Sequence, residues 1–147
     1  MTTSLLSPVR SAWKLTSPSA LLAWALAAFM LFLGVRALFD PVAAADGFGI
    51  PVRGADALAW VRIKADRDLG VGLILVALIL GRHRRLFGAV ALVSAVSPVV
   101  DALTVIGHGM RSVGYALSVH GSAVLYCLAL GSWLLWRGKS APREVTA

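Results

Sequence analysis

The chain has 147 residues, 59% of them apolar, and carries 14 basic against 7 acidic side chains for a net charge of +7. A soluble domain of this length would need more polar surface to cover its core, so the composition excludes one and points to a single membrane domain. The charge does not imply nucleic acid: the basic residues are spread over the flanks of apolar segments, neither gathered on one face nor interleaved with aromatics. Membrane lipids with anionic headgroups are the partners that explain them.

Residues 1–18 read as a polar lead-in, with Ser7-Pro8, Arg10, Lys14 and Ser17-Pro18, and with Trp13 expected at the membrane interface. Pro18 is a helix-start signal. The first apolar segment then runs over about 19–39, with a charge-free core from Ala20 to Val35. Arg10 and Lys14 before it and Ala43-Ala44-Ala45 after it imitate a cleavable leader. Signal-peptide cores are about 7–15 residues, however, and this longer one closes on Arg36, which favours a retained helix. Arg36 and Asp40 are four apart and are expected to pair. Pro41 ends the helix, and the connector to about Asp56, with Gly47, Gly49, Pro51 and Gly54 around Phe48 and Ile50, reads as an ordered loop with turns.

The second segment is apolar only from Leu69 to Gly81. Thirteen residues at about 1.5 Å each cover roughly 20 Å, short of a hydrocarbon core near 30 Å. To span, this helix must begin near Ala57 or Trp60 and carry Asp66, Arg67 and Asp68 to the headgroup level; a re-entrant or surface helix is the alternative. The third segment, about 86–106, is interrupted by Asp101 alone, and the fourth covers about 113–136. Arg82-His83-Arg84-Arg85 and the 107–112 link are short, which forces neighbouring helices antiparallel. The expected fold is an all-α membrane protein: an antiparallel up-down bundle of four transmembrane helices over 19–39, 57–81, 86–106 and 113–136. A single domain over 19–137 and a disordered tail over 138–147 complete it. Trp133, Trp136 and Arg137 form an interfacial anchor. Cys127, the one cysteine, is a small hydrophobe inside the fourth helix.

Lys and Arg placement sets the orientation. Arg10, Lys14, Arg82, Arg84, Arg85, Arg137, Lys139 and Arg143 share one side; Arg36, Arg53, Arg62, Lys64, Arg67 and Arg111 lie on the other. The bias places both termini on the cytoplasmic side of a cell membrane.

Asp101 is the focus of the functional reading. A carboxylate at that depth costs several kcal/mol in lipid and should face protein or a water-filled cavity. Ser94, Ser97, Asp101, Thr104 and His108 step by three or four residues and stack on one helix face. Pro98 removes a donor and clashes with the Ser94 carbonyl, kinking the helix one turn before Asp101. His120, about two turns into the fourth helix, is the natural partner and can shuttle a proton near neutral pH. Arg67 reaches inward toward a carboxylate or else caps a solvated helix start beside Asp68. Trp24 is a cavity wall or simple packing. The bland alternative has the hydroxyls bonding back to their own helix, Asp101 in a structural pair and His120 satisfied by one backbone carbonyl.

There is no Gly-rich phosphate loop, no nucleophile elbow and no Cys-x-x-Cys. Two histidines and an aspartate have no compact metal-ligand spacing, so neither a metal nor a cofactor is expected.

Arg-Ala-Leu-Phe-Asp-Pro at 36–41, Phe48-Gly49, Val-Arg-Ile-Lys at 61–64, Arg67-Asp68 with Gly70 and Gly72, Asp101 and His120-Gly121 together resemble a family of small four-span membrane proteins, the domain of unknown function numbered 4267. The resemblance covers nearly the whole chain from the first helix to the fourth. It implies a four-helix membrane fold and no established activity.

Three readings follow. In the first, Asp101, His120 and Arg67 perform acid–base chemistry on a lipophilic substrate: isomerisation, epoxide opening or cyclisation. In the second, a pocket lined by Ser94, Ser97, Thr104, His108, Asp68 and Trp24 binds or passes a lipophilic ligand or protons, a path that four helices supply only as a homo-oligomer. In the third, the polar groups are structural and the chain is an accessory subunit.

Overall fold

The computed structural model describes residues 13–136. Arg10 and the tail over 138–147 lie outside the described residues. Among those described, every regular element is helical, and there are five helices rather than the four expected. They are α1 (Pro18–Phe39), α2 (Pro41–Phe48), α3 (Ala55–Leu80), α4 (Arg84–His108) and α5 (Val113–Trp136).

The additional helix lies in the connector, which was expected to be loop. Pro41 cannot continue α1, but its fixed φ suits a first helical position. Asp40 accepts a 3.0 Å hydrogen bond from the Ala43 amide and so caps a new helix. Gly49, at φ +108°, ends it in the left-handed conformation that glycine adopts without strain. Because Asp40 is spent as a cap, the expected Arg36–Asp40 pair gives way to a different contact. Arg36 donates from Nη2 to the Ala43 carbonyl at 2.9 Å.

Helices α1, α4 and α5 are long and apolar enough to cross a membrane. Their large apolar side chains turn outward: Phe29, Phe32, Val93, Leu103 and Leu125 are all exposed, the pattern of a surface solvated by lipid. The chain is accordingly an integral membrane protein with transmembrane helices. Helix α3 has 26 residues, beginning slightly ahead of the expected start, but the part before Leu69 carries Asp56, Arg62, Lys64, Asp66, Arg67 and Asp68.

Helices α1 and α3 approach through glycine. A Cβ on Gly34 would lie 2.6 Å from Leu69 Cγ and 3.0 Å from the Ala65 carbonyl, and one on Gly72 would meet Leu31 at 2.7 Å. The start of α4 and the end of α5 do the same, with a Cβ on Gly131 only 2.8 Å from the Gly88 carbonyl. Such small-residue contacts let helix backbones close up where lipid provides no hydrophobic drive.

The main core occupies one end of the molecule. It gathers Ala20, Ala23 and Leu26 of α1, Leu75 and Ile79 of α3, Phe87 and Ala91 of α4, and Leu130 and Leu134 of α5. Trp13 belongs to this core. Its ring meets Phe87 edge-on at 6.0 Å and its Nε1 donates to Ser19 Oγ at 3.1 Å. The opposite end, where α2 sits, contributes nothing to that cluster.

Candidate functional site

The polar residues converge at the α2 end. Helix α4 breaks before it reaches that end: its ladder is interrupted at Ala95, whose amide turns back to Leu92 O, and α-helix resumes at Val96. Pro98 explains the position, since its ring excludes the Ser94 carbonyl and it has no amide to offer. Past the break, Ala102 and Val105 are buried while Asp101 is half-buried.

Helix α5 is irregular at the same level. Residues Leu117–Gly121 form a π-helical turn, a rare widening found most often at functional sites. His120 lies on this turn and is buried at 6% exposure. Its Nε2 is 2.9 Å from the Phe48 carbonyl. A carbonyl only accepts, so Nε2 carries the hydrogen, and Nδ1 is the acceptor of the neutral ring. Tyr115, five residues earlier, donates its hydroxyl to the Gly47 carbonyl at 2.8 Å. Both targets are carbonyls at the end of α2, groups that have no partner within their own helix. With Arg36 on Ala43, three side chains from two transmembrane helices hold α2 over the bundle end. Gly49 makes this docking close: a Cβ there would be 3.0 Å from Val105 and 3.1 Å from Tyr115.

Phe48 is the centre of the arrangement. Its ring meets the His120 ring edge-on with centroids 4.8 Å apart, and the Lys64 ammonium lies over it at 5.6 Å. Lys64 also bonds Asp68 Oδ2 at 2.8 Å, one helical turn on. Asp101 has Lys64, His120 and Asp68 as its electrostatic surroundings. It makes no hydrogen bond or ion pair among the described residues. Lys64 and His120 thus meet at one aromatic ring, Asp68 is tied to Lys64, and Asp101 on a third helix lies within electrostatic range of all three.

The other sequence candidates fall elsewhere. Arg67 is exposed and makes no hydrogen bond or ion pair with the group that Lys64 joins. Asp68 is in the group, tied to Lys64. Thr104 bonds back to the Val100 carbonyl at 2.7 Å. Ser97 and His108 are exposed, and Ser94 lines a shallow apolar groove with Ala89, Val90 and Val93 on the far side of the break. Trp24 packs against the core at the opposite end. The break at Ala95 separates Ser94 from the helix turn that carries Asp101, so the stripe does not line a single pocket. Asp101 and His120 share a neighbourhood but no hydrogen bond.

Sequence reasoning overlooked Tyr115 and left Phe48 and Lys64 without a role. Phe48 and Lys64 stand within the short motifs Phe48-Gly49 and Val-Arg-Ile-Lys, so a signal existed; Tyr115 had none. Among the described residues no three His, Cys, Asp or Glu side chains gather closely enough to hold a metal ion.

A family described as a domain of unknown function (DUF4267) matches residues 27–134, more than half of the chain. No curated protein and no solved structure matches it. The matched span runs from within α1 to the end of α5 and contains every residue of the group around Phe48.

Proposed function

The chain belongs to the DUF4267 family, a membership that assigns no activity, and from that premise we propose an antiparallel four-span bundle that binds a lipophilic small molecule beside Asp101 and His120, beneath α2. Helix α3 is the fourth span. At 26 residues it reaches about 39 Å, more than a hydrocarbon core near 30 Å, so its charged first turns rest at headgroup level against α2. Both termini are cytoplasmic and α2 caps the opposite face.

One observation carries this reading. Asp101 is half-buried in a helix of membrane-spanning length and has no hydrogen bond or ion pair among the described residues. A structural carboxylate at that depth would be expected to hold a partner, because an unpaired one costs several kcal/mol. The polar head of a ligand supplies that partner. The position of the main core at the other end supports the same view, since close packing there leaves this end free to open between α3 and α4.

Acid–base conversion of the ligand extends the reading. His120 offers Nδ1 as a proton acceptor and Asp101 is the second titratable group, the pair needed for isomerisation, epoxide opening or cyclisation. Passive passage of a ligand or proton and a purely structural role are the competing readings.

Thermal unfolding of detergent-washed protein, titrated with a total lipid extract of its source membrane, separates them. A bound ligand at one hundred times its Kd stabilises by about 2.7 kcal/mol. The expected result is a raised Tm for the wild-type protein and a much smaller rise for Asp101→Asn. Equal rises would show that Asp101 is not the site, and no rise in either would favour the structural role.

A further inference from the structure

Lys64 occupies a seat for a positive charge. Its ammonium is held by the face of Phe48 at 5.6 Å and by Asp68 Oδ2 at 2.8 Å, the two chemistries that recognise ammonium groups together. The Phe48 ring is fixed for this purpose, since His120 meets it edge-on and binds its backbone carbonyl. Two carboxylates attend one ammonium there: Asp68 pairs with Lys64, and Asp101 on α4 lies within electrostatic range of it with no ion pair of its own. Lys64 itself stands on a flexible four-carbon stem and is 46% exposed, so it can leave the seat without disturbing the helix that carries it.

We infer that the ligand's polar head is a cation, a lipophilic amine or quaternary ammonium, which displaces Lys64 from the Phe48 ring and pairs with Asp101. This inference rests on the proposed ligand site and narrows its chemistry. The hydrocarbon part of such a molecule lies along the exposed apolar faces of α3 and α4, where Leu73, Ile74 and Leu103 already turn outward. Lys64 is then an internal stand-in that keeps Asp68 paired while the seat is unliganded.

The test is calorimetric binding to the full-length protein in a nonionic detergent, with octyltrimethylammonium, 1-octanol and octanoate as probes of equal chain length. Octyltrimethylammonium is expected to bind at least tenfold more tightly than octanol, with octanoate weakest. Asp101→Asn should remove that preference, so that octyltrimethylammonium binds this variant no more tightly than octanol does. Lys64→Met vacates the seat and should tighten octyltrimethylammonium binding several-fold. Equal binding of cation and alcohol to the wild-type protein, with Asp101→Asn weakening both, would overturn the cation while the ligand site stands. Probe binding that ignores Asp101→Asn altogether would overturn both. Should Asp101→Asn fail to fold, Lys64→Met decides alone, and cation binding that is unchanged or weaker in that variant overturns the inference.

Discussion

His120 donates from Nε2 to the carbonyl of Phe48 at 2.9 Å, joining residues 72 positions apart. This bond connects a π-helical turn inside α5 to the last residue of a short helix outside the expected spans. It gives the buried histidine a partner and gives a helix end a donor it lacks. Phe48 thereby becomes a fixed wall for the charged groups beside it.

Replacing His120 by Leu should leave the Phe48 carbonyl without its donor and remove the edge-on ring contact. A buried acceptor left unsatisfied costs about 1–3 kcal/mol. Tyr115→Phe, which unties Gly47, should cost about 1 kcal/mol. Both act on the same helix end, so the double variant is expected to be non-additive. Thermal unfolding of the four proteins in detergent reads this, and strict additivity would show that α2 is not docked as one unit.

Asp40→Ala removes the cap of α2. The expected cost is about 0.5–2 kcal/mol. Hydrogen exchange should localise it: amides of residues 43–48 lose protection while those of α1 keep theirs. Equal loss along α1 would mean that Asp40 supports the long helix instead.

Glycine substitutions should sort by contact. Gly131→Ala drives a methyl to 2.8 Å from the Gly88 carbonyl, and overpacking of that kind costs about 1–3 kcal/mol. Gly70→Ala meets nothing within 4 Å and sits inside α3. It should be neutral or stabilising by up to about 1 kcal/mol, the helix-propensity gain of alanine. Unfolding midpoints of the two variants that fell together would contradict the close approach of α4 and α5.

Three of the long helices were legible from sequence because an apolar run of about 20 residues has one common explanation, a membrane span. The break before Asp101 was legible from Pro98 alone, through its missing amide. Helix α2 was not. Eight residues opened by Asp40-Pro41, and followed closely by Gly49, Pro51 and Gly54, carry the same local signals as a turn-rich loop. What makes them a helix is tertiary, namely Arg36, Tyr115 and His120 binding their carbonyls. The same contacts decide the site. Periodicity placed Asp101 with Ser94, Ser97, Thr104 and His108, but a helix stripe says nothing of what faces it across the bundle. Sequence singled out Arg67 on α3, whereas the contact to Phe48 is made by Lys64, one turn earlier. The packing of Trp13 was illegible for a similar reason: only the contacts with Phe87 and Ser19 draw it into the core.

The central claim is that Asp101 holds a lipophilic molecule beneath α2. Mass spectrometry of material co-purifying with the detergent-solubilised wild-type protein, Asp101→Asn and Arg67→Gln tests it most directly. A lipophilic compound present near stoichiometrically in the wild-type protein and in Arg67→Gln, and lost from Asp101→Asn, is the expected result. The same compound retained in equal amount by all three proteins would contradict it.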